Sequence, residues 1–73
     1  MPARFSRCED GSYVLRLGLG PDADLHIECI DGGWGARMGA ERIPEAFRTP
    51  DEAQAAIVDM ARRWLHEARE RLT

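Results

Sequence analysis

Two cysteines and two histidines are the side chains of this 73-residue chain that are best suited to binding a transition metal. His26 and Cys29 lie three positions apart in a segment with a strand pattern, and that spacing places them on opposite faces. Structural zinc sites usually contain closely spaced cysteine pairs, whereas Cys8 and Cys29 are far apart in the sequence. His66 falls beside charged residues, where a solvent-exposed histidine is the expected state. The sequence therefore predicts no metal site and no cofactor.

Nucleophilic residues lack the surroundings that catalysis requires. Ser6 and Ser12 are not part of the G-x-S-x-G pattern of a nucleophile elbow. Cys29 falls in the inward phase of a predicted strand, which favours packing in the core over reactivity. The glycine-rich segment at residues 31–35 leads into another predicted strand, whereas a phosphate-binding loop leads into a helix. We therefore predict that the chain is not an enzyme.

Alternation of apolar and polar residues predicts the strands that position these side chains. The pattern covers three segments, at residues 13–19, 25–30 and 34–40. Turn-forming residues between the segments predict antiparallel hairpins. Residues 46–48 are expected to pair as a short fourth strand, and residues 1–10, which lack periodicity, are expected to form a flexible N-terminal arm. Residues 11–73 would then form a single α+β domain, because a chain this short supports one core.

A capping sequence marks the start of a long helix. Thr49 is followed by Pro50 at the first helical position, and Glu52 is placed to complete a capping box with the Thr49 amide. Apolar residues then recur at spacings of three and four, and no glycine or proline follows Pro50. The sequence predicts one helix over residues 51–72, packed against an antiparallel three- to four-stranded sheet in an α+β fold. The predicted core consists of Tyr13, Leu15, Leu17, Leu25, Ile27, Cys29, Trp34, Ala36, Met38, Phe47, Ile57, Ala61, Trp64 and Leu65.

The predicted helix is longer than the predicted sheet. Strands of this size span roughly 20 Å, whereas a helix over residues 51–72 spans about 33 Å. We therefore expect the last helical turns, with Leu65, Ala68 and Leu72, to extend past the sheet. Apolar side chains in that position would present a surface to another protein or to a second copy of the chain.

The charge balance restricts the classes of partner. All ten basic residues are arginine, and 13 acidic residues give a formal net charge of −3. This balance argues against a nucleic-acid binder that works by clustered positive charge, and against a polybasic membrane-binding segment. No stretch approaches the roughly 18 apolar residues that a membrane span requires. The N-terminal residues do not resemble a secretory signal, so we expect reduced cysteines and a cytoplasmic location.

Charged residues in predicted loops and on polar strand faces form two further candidate surfaces. Acidic side chains in the loops could contact a basic partner, and they are Asp22, Asp24, Asp31, Glu41 and Glu45. The polar phase of the strands carries Arg16, His26 and Arg37, which form the alternative face for nucleic acid.

The layout of residues 13–65 resembles that of the arm-binding domains of tyrosine integrases, with strands, the motif F-x-T-P-x-E-A at residues 47–53 and a helix. That resemblance implies a three-stranded sheet that reads DNA. The chain departs from the basic strands of such domains, because Glu28 lies between Arg16 and Arg37 in the polar phase. In size and acidity the chain is also similar to small phage inhibitors of host defence such as anti-CRISPR proteins.

We expect a small non-enzymatic module that binds another protein or itself, of the kind that a phage or mobile element encodes as an inhibitor of a host protein complex. One alternative is a DNA-binding sheet domain of the integrase arm-binding type, whose affinity would fall steeply with salt. The other alternative is a homodimeric bacterial protein, which light scattering would distinguish from a monomer.

Overall fold

The computed structural model describes residues 4–72, which form a five-stranded antiparallel sheet and one C-terminal α-helix. The strands, adjacent in chain order, are β1 (Ser6–Arg7), β2 (Tyr13–Leu15), β3 (Leu25–Ile30), β4 (Gly33–Met38) and β5 (Glu41–Arg42). A one-turn 3₁₀ helix, Pro21–Ala23, precedes β3, and helix α1 covers Pro50–Leu72. The predicted α+β class is confirmed, with more strands than the sequence predicted.

The β3–β4 hairpin is the centre of the sheet. Its register runs from the Leu25–Met38 pair to the Ile30–Gly33 pair. Because side chains alternate across a strand, this register places Leu25, Ile27, Ala36 and Met38 together on one face. All four are buried, and α1 packs against them. The alternation in the sequence therefore predicted both the hairpin and its inward face correctly.

The end of β4 and the segment that follows it differ from the prediction. Gly39 and Ala40, predicted as the end of the third strand, form the turn between β4 and β5. Gly39 has a φ of 58°, and a Cβ atom there would overlap the backbone carbonyl of Asp22, so only glycine fits this close approach. Residues 46–48 do not form the predicted fourth strand, because Phe47 makes a single bridge to Trp34.

The N-terminal strands also differ from the prediction. Within the segment predicted as an arm, Ser6 and Arg7 form β1 and pair with β2, while residues 1–3 lie outside the described residues. The strand predicted over residues 13–19 ends at Leu15. Gly18, with a φ of 76°, leaves the extended conformation, and Leu19 beyond it is exposed.

Helix α1 begins as the capping sequence predicted. The Thr49 Oγ1 accepts a hydrogen bond from the Glu52 amide at 3.1 Å. The Glu52 carboxylate accepts from the Arg48 amide at 3.2 Å, one residue earlier than the predicted Thr49 amide. Ala53, Ile57 and Ala61 are the buried residues of α1, and their four-residue spacing places them on one face against the sheet.

Three residues of the predicted core are exposed. Cys29 lies near the turn of the β3–β4 hairpin, outside the buried cluster that α1 covers. Trp64 and Leu65 are 43% and 41% exposed because they follow Ala61, the last buried residue of α1. The remaining predicted residues are buried or pack against the core as half-buried side chains, and buried Ala23 and Ala53 join them.

Candidate functional site

Helix α1 projects well beyond the sheet. Its 23 residues span about 34 Å, at 1.5 Å per residue. Strands β3 and β4 have six residues each and span about 20 Å. Residues 62–72, which follow the last buried position, correspond to about 16 Å of helix. The longest dimension of the molecule is accordingly 41 Å, against 24 and 22 Å for the other two.

An apolar stripe continues along this projecting part of α1. Val58, Ala61, Leu65, Ala68 and Leu72 recur at alternating spacings of three and four, which is the pattern of a coiled-coil seam. Val58 and Ala61 pack on the sheet, whereas Leu72 is 88% exposed. We name Leu65, Ala68 and Leu72 the distal stripe. The predicted partner-binding residues of the helix end therefore share one face beyond the sheet.

Two shallow grooves lie where α1 leaves the sheet. Leu65 lines one of them, together with Leu17 and Val58. Trp64 lines the other, on the opposite side of the helix, with Met38 and Met60. The apolar surface is therefore wider than the distal stripe alone. The helical periodicity predicts Trp64 in the core, but it lies exposed, because periodicity gives the direction of a side chain and not the extent of the surface that covers it.

Arginines border the distal stripe. At 100° per residue, Arg62 and Arg69 follow one side of the stripe and Arg71 follows the other. All three are exposed. Asp59, which pairs with Arg63 at 3.1 Å, and Glu70, which lies 3.5 Å from His66, are on the far side of the helix. Glu67 lies on the same side as Arg71, four residues before it, and lines the Trp64 groove. The distal stripe is thus an apolar surface bordered by Arg62 and Arg69 on one side and by Arg71, with Glu67 next to it, on the other.

The structure does not gather the acidic loop residues into one patch. Asp22 and Asp24 lie at the 3₁₀ turn, next to the β4–β5 turn, where the Gly39 amide donates to the Asp24 carbonyl at 3.0 Å. Glu41 follows directly in β5, and Glu45 lies in the loop before α1. Asp31 occupies the turn at the other end of the β3–β4 hairpin, about 23 Å from Asp24 along β3.

The alternative nucleic-acid face is the open face of the sheet, which α1 does not cover. His26 lies opposite Arg37 in the β3–β4 register, and Arg16 follows β2. The Arg37 side chain is fixed on this face by hydrogen bonds. Its Nε and Nη2 donate to Glu28 Oε1 at 2.9 Å, and its Nη1 donates to the Gly39 carbonyl at 2.8 Å. The open face also carries Arg4 and Arg42, which the sequence reasoning missed. The pairing of the two-residue strands β1 and β5, which would have revealed them, was not predicted.

No protein-family model, curated protein or solved structure matches this chain. Within residues 4–72, no group of three histidine, cysteine or acidic side chains is arranged to hold a metal ion. Helix α1, the one α-helix among those residues, lacks the apolar stretch that a membrane crossing needs.

Proposed function

We propose that this chain is a non-enzymatic module that binds another protein through the distal stripe. The observation that carries the proposal is the continuation of the apolar seam past the sheet, ending at Leu72 with 88% of its surface exposed. Contiguous apolar surface of this kind is typical of interaction sites. No polar or charged residue between positions 4 and 72 is buried, whereas active sites usually sequester a titratable group.

The pattern of the distal stripe favours a helical partner. A seam with spacings of three and four accepts the side chains of a second helix between its own. Arg62, Arg69 and Arg71 occupy the positions that flank such a seam, where charged residues determine the choice of partner. A partner helix with apolar seam residues and glutamate or aspartate beside them would complement both features.

A second copy of the chain complements this surface less well. The sheet covers the seam up to Ala61, so a second copy can pair only antiparallel, with its own sheet at the far end. That arrangement places Arg62 of one copy beside Arg69 of the other. Like charges at flanking positions oppose pairing. We therefore favour an acidic helical partner over self-association.

Two designed peptides test this proposal directly. Both are amphipathic helices with leucine at the seam, and they differ only in carrying glutamate or lysine at the flanking positions. We expect the glutamate peptide to bind more tightly, and its binding to change the fluorescence of Trp64. Equal binding of the two peptides, or no binding of either, would contradict the proposal.

Charge-introducing variants separate the distal stripe from other exposed leucines. Leu72→Glu and Leu65→Glu should each abolish binding of the glutamate peptide, because each places a carboxylate in the apolar seam. Leu19→Glu is the matched control, since Leu19 is also an exposed leucine, at 57%, but lies outside α1. Light scattering of the free chain measures its oligomeric state. A stable dimer would contradict the acidic partner and indicate that a second copy covers the distal stripe.

A further inference from the structure

Two arginines on the open face of the sheet face each other across neighbouring strands. The β4–β5 register places Arg37 directly opposite Arg42. Like charges in this arrangement are destabilising. Glu28, on β3, compensates for both, because its two carboxylate oxygens accept from Arg37 at 2.9 Å and from Arg42 at 3.3 Å. This pair of arginines is therefore neutralised in part by an acid of the chain itself.

Among the described residues, a second arginine pair on the same face has no carboxylate in an ion pair with it. The β1–β2 register, in which Ser6 pairs with Val14, places Arg4 opposite Arg16 when it is continued by two residues. Both arginines line one shallow groove with Ser6 and Val14. Phe5, which lies between Arg4 and Ser6 in the sequence, packs against the core on the other side of the sheet. Within residues 4–72 neither arginine forms an ion pair. An anion bound in this groove would reduce the repulsion between Arg4 and Arg16, as Glu28 does for Arg37 and Arg42.

Positive charge is concentrated on this face although the whole chain is negative. Four arginines and Glu28 lie on the open face, and the β2–β3 register, continued by one residue, adds Asp24 opposite Arg16, so the formal charge of this face is +2. The rest of the chain, with six arginines and eleven acidic residues, carries −5. The two arginine pairs lie three strand spacings apart, or about 14 Å, across the sheet. His26 lies between them on β3. A row of positive groups suits a polymer of phosphates better than a single small anion.

We propose that the open face binds the phosphate backbone of a nucleic acid, with the Arg4–Arg16 pair as its principal contact. Guanidinium groups donate parallel hydrogen bonds that match a phosphate, and the Ser6 hydroxyl in the same groove supplies a further donor. The exposed part of Arg42 extends the contact across the sheet. The distal stripe belongs to the helix that covers the other face, so this binding is independent of the proposed protein partner.

The salt dependence of binding tests this proposal. Labelled duplex and single-stranded DNA of about 20 nucleotides are titrated with the chain between about 25 and 200 mM salt, a range in which phosphate contacts change affinity strongly. The Arg4→Gln, Arg16→Gln double variant should reduce the slope of log K against log salt by about 1.8 for duplex DNA, because two contacts are lost. The control is Arg7→Gln with Arg63→Gln, which removes the same charge away from the open face and should keep the slope. Arg7 lies opposite the inward-facing Tyr13, and Arg63 lies on α1.

A variant that should bind DNA more tightly provides a result that misfolding cannot produce. Glu28→Gln removes the acid that binds Arg37 and Arg42 and releases two guanidinium groups, so it should tighten DNA binding and steepen the salt slope. The proposal is overturned if the chain binds neither DNA at the lowest salt, or if the control double variant loses as much affinity as Arg4→Gln, Arg16→Gln. It is also overturned if polyglutamate displaces DNA as well as unlabelled DNA does, since the groove would then accept any polyanion.

Discussion

Replacing Leu72 with alanine should leave the free energy of unfolding almost unchanged. Full burial of a leucine side chain contributes about 2 kcal/mol. Leu72 is 88% exposed, so the truncation should cost about 0.2 kcal/mol, and alanine is as good a helix former as leucine. If the distal stripe is free in the isolated chain, this residue contributes to binding and not to folding.

Ile57→Ala provides the contrast on the same helix. Ile57 is fully buried against the sheet, and truncation of such a side chain costs about 2–5 kcal/mol. In a domain of this size, 1 kcal/mol corresponds to a change in Tm of about 4–8 °C. Ile57→Ala should therefore lower the Tm by at least about 8 °C, and Leu72→Ala by no more than about 2 °C.

Thermal unfolding and urea unfolding, both followed by circular dichroism, measure the two variants at two protein concentrations that differ by about a hundredfold, to reveal dimerisation. A loss of more than about 1 kcal/mol for Leu72→Ala, or a midpoint that rises with protein concentration, would refute the reasoning. Either result would mean that a second copy already covers the distal stripe in the free protein.

Three further predictions concern the elements that hold these surfaces in place. Thr49→Ala should cost about 1 kcal/mol, measured by thermal unfolding, because the Glu52 amide loses its capping partner. Gly39→Ala should cost more than about 1 kcal/mol in urea unfolding, since the positive φ at this position is unfavourable for a residue with a Cβ and the new Cβ would overlap the Asp22 carbonyl; Ala40→Gly in the same turn is the control. Ser12 donates two hydrogen bonds to Asp10 that lower the pKa of this carboxyl, with the side-chain bond as the larger cause, so Ser12→Ala should raise that pKa in an NMR titration. Because the pKa is lower in the folded chain, the associated stability is present above the unfolded-state pKa, near 3.9, and is lost as the pH falls through the folded-state value; an unchanged pKa in Ser12→Ala would contradict this assignment.

Local signals in the sequence were sufficient for the central elements of the fold. The capping sequence at Thr49 involves residues within one helical turn, and the alternation in β3 and β4 reports on each strand separately. The sequence contains no such signal for β1 and β5, because a strand of two residues is too short to show alternation and is defined only by its pairing with a neighbouring strand. β5 depends on a turn at Gly39 that is fixed by contact with Asp22, which is distant in the sequence.

The candidate surfaces were predictable to different degrees. Comparing helix length with strand length predicted that Leu65 and Leu72 extend past the sheet, because both lengths follow from residue counts. The exposure of Trp64 did not follow, since the helical phase of a residue does not reveal where the opposing sheet ends. The net charge of −3 gave no indication of the arginines on the open face. Arg4 is grouped with Arg16, and Arg37 with Arg42, by strand registers, which cannot be read from composition.

The shortness of the two outermost strands has a consequence for how this chain can associate. β1 and β5 offer only two residues each along the edges of the sheet, and Pro44, which lacks an amide hydrogen, follows β5 closely. Long, flat edges recruit the backbone of other chains and lead to aggregation, whereas short edges do not. The backbone hydrogen-bonding groups of these two strands are therefore poor templates for strand addition, which favours recognition through side chains. Partners would then be selected by the shape and charge of those side chains, which makes selective binding compatible with an exposed apolar helix.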